Sequence, residues 1–470
     1  MLALPIALLI PLLFLIPLAA LPERYSLKLV VVSSFLLLLV VVYALLLANL
    51  YGFASLQASF SYLPGLQFSF SLTPFSQVLV LLAAVLVFVS SLLLESYIKE
   101  SKKLYATLYL IISSSLVGVF SSSSLLPFYM FWEVSEIVMF FMIYSFGGYN
   151  RRYAAIKFLI FSLVSSLLLL LGIMLIFVGN TAHSLSIAYL VSSPSALEPG
   201  FALAAFILLA LSFSIKLPIF PLHTWLPDAY SESPTPSTML LAGVLSKFGA
   251  YGMLLLFLMM PFASSYAKIL ALAFAFSAFY SSFLAIRQAN LKTSIAYVSM
   301  LDMAIIALGL SSFSAIGYAG STYAMLSHGL IIALAFAIVG TVDNSFGTTL
   351  ISKVRGVAKS MKGLAYSFVF ASFAIVGLPL TSSFIADLLI FMSLVHAFGA
   401  IGVLPLLAIL IVGIFLFWIV ARMFFNVGEA IEPYEFPGYY SLFAISLLLG
   451  LILLFGILPS LLLSPLSVGL

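Results

Sequence analysis

Residues 213–252 read FSIKLPIFPLHTWLPDAYSESPTPSTMLLAGVLSKFGAYG. The stretch begins inside an apolar run and places Lys216 there, two residues before Pro218. A polar, proline-rich segment follows, from His223 to Ser237. The chain then re-enters an apolar run with Lys247 in its middle. A lysine at bilayer depth costs several kcal/mol unless it is paired or hydrated. Two of them in successive apolar segments point to a path for charge. Pro218 and Pro221 lack N–H donors, so the carbonyls of Ser214 and Leu217 lose their helical partners. Freed backbone groups at that depth are tolerated only where protein or water satisfies them. The expected place is a hydrated cavity beside Lys216.

Composition widens this reading to the whole chain. Hydrophobic residues make up 64% of it and charged residues 7%. Soluble domains carry about 25% charged residues. The chain is therefore read as an all-α integral membrane protein, with one polytopic domain over residues 1–470. There are no cysteines, which excludes disulfides and thiolate-held iron–sulfur or zinc sites. The four histidines, His183, His223, His328 and His396, show no metal-ligand spacing, so no metal or cofactor is expected in this chain. No phosphate-binding loop motif occurs. The net charge of +4 comes from loop residues and does not indicate a nucleic-acid surface.

A spanning helix needs about 20 apolar residues. About fourteen such segments can be counted, near 2–21, 28–50, 74–95, 103–120, 123–146, 152–179, 200–221, 237–260, 264–286, 293–311, 313–340, 363–397, 402–425 and 440–464. The first lacks a basic leader and reads as a span, not a cleaved signal. Alternation of polar and apolar residues from Leu66 to Leu72 suggests a short hairpin between spans two and three. With the gaps numbered alternately, fifteen lysines and arginines fall on one side and Lys268 alone on the other. A miscounted helix would scramble that bias. The basic side is expected in the cytoplasm, with both termini outside, in the plasma membrane of a prokaryote.

Two segments look broken. One is the Lys216 segment. The other runs about 35 residues, from Gly363 to Ala397, and holds Pro379. The two are segments seven and twelve, an odd offset, so they cross the membrane in opposite directions. Paired interrupted helices at matching places point to an inverted repeat. Segments 4–8 and 9–13 are the expected five-helix repeats, over residues 103–260 and 264–425, preceded by N-terminal helices in 1–95 and followed by a helix at 440–464.

The intramembrane ionisable residues are few. Segment five holds Glu133 and Glu136, about 60° apart around a helix. Lys216 and Lys247 follow, then Asp302, His328, Asp387 and, near an end, His396. Carboxylates, lysines and a histidine are the types a proton relay needs, because each can change charge as its surroundings change. Glu133, in a segment with no basic residue, and Lys216 are expected to pair.

At these residues the sequence resembles a known family. The SIKLPIFPLHTWLPDAYSESPTPSTMLLAGVLSKFGAYG stretch is similar to the signature of the antiporter-like subunits of respiratory complex I, Mrp-type sodium/proton antiporters and membrane-bound hydrogenases. FYMFWEVSEIVMFFMIYSF, NLKTSIAYVSMLDMA, YAMLSHGLIIALAF and GLPLTSSFIADLLIF resemble further family motifs, so the likeness covers about residues 95–425. It implies a proton path through Glu133, Lys216, Lys247, His328 and Asp387; Glu136 and Asp302, which the resemblance does not assign, are accessory candidates by their place among the intramembrane charges. An acid at Asp387, where most members carry lysine, resembles the M type (chain 4-like) subunit. The absence of a long C-terminal extension is expected of that type. Two departures stand out: the loop reads Asn290, Leu291, Lys292, Thr293 in place of the usual charged pattern, and Asp302 occupies a position where histidine is common.

The resemblance implies a proton-translocating subunit of a redox-driven complex I-type NADH- or ferredoxin-quinone oxidoreductase. Redox chemistry would lie in partner subunits, among them further antiporter-like ones, with protons as cargo and sodium as a second cargo to test. The alternatives are a subunit of an Mrp-type antiporter, one of a membrane-bound hydrogenase, or a structural membrane subunit whose charges are vestigial. The two retained lysines argue against the last.

Overall fold

The computed structural model describes residues 3–52, 57–63, 66–426 and 432–468. Among them are fourteen helices long and apolar enough to cross a membrane: α1 (Ala3–Ala20), α2 (Glu23–Tyr51), α3 (Pro74–Ser91), α4 (Lys102–Ser121), α5 (Leu125–Phe146), α6 (Arg151–Gly179), α7 (Pro199–Lys216), α8 (Thr235–Met259), α9 (Pro261–Ile286), α10 (Leu291–Leu310), α11 (Ala315–Phe346), α12 (Ser382–Val403), α13 (Leu406–Phe424) and α14 (Tyr439–Ile457). The expected hairpin forms as antiparallel strands β1 (Ala58–Leu63) and β2 (Leu66–Phe70).

Loop contacts confirm the count. The backbone of Phe70 pairs with Ser122, Ser124 with Ser186, and Asn180 with Leu197, so the three gaps after α2, α4 and α6 are knitted on one face. On the other face the Lys103 ammonium donates to the Ala19 carbonyl, Gly148 N–H donates to Glu232 O, and Asn290 pairs with Leu350. Every one of these links joins gaps of the same parity. An error of one helix would have required them to cross the bilayer.

Burial divides the helices by role. The apolar windows of α8 and α11 are buried throughout, whereas those of α1, α2, α9 and α14 are about one-third buried. Outer helices meet lipid, and α8 and α11 meet only protein. A polar side chain on an enclosed helix can be supplied with partners from all sides, which a lipid-facing one cannot. Glycines bring α8 and α11 together. A Cβ on Gly329 would lie 2.8 Å from the Gly243 carbonyl oxygen, so the two backbones touch where no side chain fits.

Both suspected helices are broken. α7 ends at Lys216, the chain turns through 217–224, and a short helix resumes at Trp225–Glu232. The counterpart is a helix over Lys362–Ile375, a break at 376–381, and α12 from Ser382. Protein groups repair the first break. Ile219 N–H donates to the Ser214 carbonyl that Pro218 cannot serve, at 3.0 Å, one residue out of register. The Ile215 carbonyl, which that shift deprives, accepts from the Trp225 indole N–H at 3.0 Å. The Ser214 and Ile215 carbonyls are thus satisfied by protein groups. At the second break the Ser383 hydroxyl donates to the Ala374 carbonyl at 2.5 Å.

Candidate functional site

The intramembrane charges form two clusters. The first joins α5, α6 and α7. Lys216 Nζ lies 2.5 Å from Glu136 Oε1 and donates to Ser162 Oγ at 2.9 Å. The Ser166 hydroxyl donates to Glu136 Oε2 at 3.2 Å. Ser162 and Ser166 are one turn apart on α6, so they face α5 and α7 together. The ammonium also sits 4.8 Å from the Phe158 ring and 5.3 Å from that of Trp225. Lys216 is 3% exposed and Glu136 2%, so the pair is fully withdrawn from its surroundings. This corrects the expected pairing: the counter-ion of Lys216 is Glu136. Glu133 lies one turn away and is half-buried, and its Oε2 is enclosed with no hydrogen-bond partner among the described residues. Helical phase decides between them. A rotation of α5 is invisible in the sequence, and both carboxylates lie on the same broad face.

The second cluster joins α8, α10, α11 and α12. Residues 241–245 form a π-helical turn just before Lys247. Such a turn opens the helix and is frequent at functional sites. Here it presents the Ala242 carbonyl to Lys247 Nζ at 2.6 Å, with Ser246 Oγ at 3.1 Å and His328 Nδ1 at 2.7 Å. Among the described residues no carboxylate pairs with Lys247. Because Nδ1 faces Lys247, the other imidazole nitrogen, Nε2, points onward to Asp302 Oδ2 at 3.8 Å, too far for a direct hydrogen bond. Beyond lies a cavity of about 30 Å³ lined by Asp302, Ser327, His328, Ser383 and Asp387 among others. A water needs about 10–15 Å³ of such space and two to four polar partners, and both conditions are met. Space for water thus lies beside the second break. Asp387 lies against the break itself, where a Cβ on Gly377 would meet its Oδ2 at 2.8 Å, and Gly377 takes φ +82°.

Between the clusters stands an aromatic block. Trp132 packs on Phe213 and Phe248, at 5.9 and 5.4 Å between ring centroids, and these phenylalanines neighbour Lys216 and Lys247 in the chain. The structure therefore joins Glu136 to Lys216, and Lys247 to His328 to the Asp302–Asp387 cavity. It does not join the two groups through side-chain hydrogen bonds among the described residues. His396 is exposed in the last turn of its helix, apart from both.

Several participants escaped the sequence reading. Ser162 and Ser166 were signalled only by their spacing of four on an apolar helix. His223, whose Nδ1 is buried without a partner among the described residues, lies in the first break. Lys157 pairs with Asp228 at 2.7 Å, partly exposed, on the basic side of the same region. Among the described residues there is no group of three or more histidine, aspartate or glutamate side chains that could hold a metal.

Residues 122–415 match the family described as NADH:quinone oxidoreductase/Mrp antiporter, transmembrane. The chain belongs to this family. Among family relatives, NADH-quinone oxidoreductase subunit M of Rickettsia felis is 32% identical over 372 residues, covering 78% of this chain and 74% of the relative. The F(420)H(2) dehydrogenase subunit M of Methanosarcina mazei is 33% identical over 371 residues, covering 77% and 74%. A chain of respiratory complex I from Thermus thermophilus superposes with a TM-score of 0.90 at 27% identity, over 99% of this chain and 98% of that one. A chain of the Mrp complex from Dietzia sp. shares the fold, with a TM-score of 0.86 at 17% identity over 100% of this chain and 97% of its own. Both structures are multisubunit membrane assemblies.

Proposed function

We propose that this chain is a proton-translocating, antiporter-like membrane subunit of a redox-driven complex I-type quinone oxidoreductase, of the M type. The observation that carries the proposal is Lys247. It is a wholly buried lysine on a wholly buried helix, ligated by a backbone carbonyl, a hydroxyl and an imidazole nitrogen. A group so placed gains or loses a proton through its neighbours and has no stabilising ion pair to explain it structurally. The relatives named as M subunits favour this reading over the Mrp and hydrogenase alternatives.

On this reading electron transfer occurs in other subunits, and this chain carries no cofactor. The two repeats, residues 103–260 and 264–425, form two half-channels that meet at the aromatic block. Protons reach Lys216, held by a carboxylate of α5. Withdrawal of that carboxylate frees the ammonium, whose proton passes toward Lys247. His328 takes it from Lys247 on Nδ1 and releases another from Nε2 to water in the Asp302 cavity, and Asp387 delivers it to the far side. The basic face lies in the cytoplasm and both termini lie outside the plasma membrane. Further antiporter-like subunits would pack beside this one.

The test is purification of the native assembly and reconstitution in liposomes. Quinone reduction coupled to proton movement is expected, with Lys247→Met lowering the proton-to-electron ratio while the complex still assembles. Cation-driven proton exchange without quinone chemistry would transfer the chain to the Mrp reading.

A further inference from the structure

α5 carries two carboxylates where a single buried lysine needs one. Only one of them is used. Glu136 has Lys216 on Oε1 and Ser166 on Oε2. Glu133 has an enclosed oxygen and no partner among the described residues. The two are three residues apart, a rise of about 4.5 Å along the helix. A lysine carries its charge on a flexible four-carbon stem with three rotatable donors, so the ammonium can travel that distance while its backbone stays fixed. The fixed backbone is itself assured: Lys216 ends α7 at the repaired break, with the Leu217 N–H bonded to Phe213 O and the Trp225 indole to Ile215 O.

We propose that Glu136 and Glu133 are alternative seats for the Lys216 ammonium, and that the ammonium and one proton exchange places between them. The proposal rests on the proton-pumping reading above and deepens it. An enclosed carboxylate oxygen is satisfied by a cation or by a proton, and stands empty only at a cost of several kcal/mol. When the ammonium moves from Glu136 to Glu133, the proton bonded to Glu133 leaves that oxygen. Glu136, now without its cation, takes one up. One O–H bond breaks, one forms, and the charge within the site is unchanged. The two seats are not equivalent. At Glu136 the ammonium also has Ser162 Oγ and two aromatic faces. At Glu133 it would leave them and lie nearer the N-terminal end of α5. Because α5 runs from the hairpin face to the basic face, the ammonium moves away from the basic side while one proton moves toward it, so the exchange shifts a proton between the two carboxylates without net transfer of charge. Glu136 is thus a positioning residue that sets where Lys216 rests, and Glu133 is the seat from which the lysine acts.

The experiment is structure determination of the assembled complex carrying Glu136→Gln, with Lys216 otherwise intact. The expected result is Lys216 Nζ within hydrogen-bond reach of the Glu133 carboxylate and withdrawn from Ser162. If Nζ remains on Ser162, outside the reach of Glu133, the two-seat proposal is wrong. Glu133→Gln supplies a second arm that leaves the observed ion pair in place and so folds independently of the first. It should keep Lys216 on Glu136 and lose this subunit's share of pumped protons. Pumping at the wild-type proton-to-electron ratio in that variant would equally overturn the proposal. Lys247→Met, which touches neither seat, separates this outcome from the parent reading: wild-type pumping by that variant would defeat the pumping role whatever position Lys216 adopts.

Discussion

Gly329→Ala adds one methyl group at a close backbone contact in the molecule's buried centre, and its effect can be worked out from distances. The new Cβ would lie 2.8 Å from the Gly243 carbonyl oxygen and 2.7 Å from both terminal carbons of Leu82. Leu82 can rotate away. The Gly243 carbonyl cannot, because it belongs to the π-helical turn that presents Ala242 to Lys247. Ordinary contact begins at 3.4 Å, so α8 and α11 must part by about 0.6 Å (3.4 less 2.8). Transferred to the neighbouring Lys247–His328 contact, now 2.7 Å, that opening gives about 3.3 Å, beyond the range of a good hydrogen bond. Overpacking of this kind costs about 1–3 kcal/mol, and the better helix propensity of alanine returns about 1 kcal/mol. The net loss of stability is therefore small, up to about 2 kcal/mol, while the relay loses a link. The assay is parallel: thermal inactivation of the purified complex, and proton-to-electron ratio in liposomes. A modest fall in heat stability with a clear fall in pumping is expected. Wild-type pumping together with wild-type heat stability would show that the two helices can part without consequence, and the reasoning would fail.

Asp387→Asn keeps size and polarity but cannot ionise, so it should assemble and lower proton translocation, whereas Asp387→Glu should retain much of it; equal pumping by Asn and wild type would remove Asp387 from the path. Trp225→Phe deletes the indole donor that satisfies Ile215 O and should cost about 1–3 kcal/mol as a buried carbonyl left unmade, read as a lower unfolding temperature of the detergent-purified complex. Reporter fusions at Lys359 and at the C-terminus should report opposite sides of the membrane, and the same side for both would contradict the loop pairing. Lys157→Ala breaks a partly exposed pair with Asp228 and should change heat stability by no more than about 1 kcal/mol; a loss of several kcal/mol would place that pair deeper than its exposure indicates.

Sequence by itself determined the number of spans, their alternation, the two breaks and the identity of the intramembrane charges. The physical reason is that a bilayer reads one-dimensional properties. Segment length must match hydrocarbon thickness, basic residues must stay out of it, and proline must remove a donor wherever it falls. Lys216, Lys247, His328 and Asp387 were legible because an ionisable residue in such a segment is expensive enough to require a purpose. What only tertiary structure decided is who meets whom. Glu136, not Glu133, holds Lys216, since the choice turns on the rotation of α5 against α6 and α7, and on two serines that carry no charge to advertise them. Water-sized space lies at the Asp387 break, whereas at the Lys216 break the Trp225 indole folds back onto the Ile215 carbonyl. His328 stands between Lys247 and the Asp302 cavity because Gly243 and Gly329 let two buried backbones touch. Such contacts depend on the shapes of several helices at once, and no single stretch of sequence contains them.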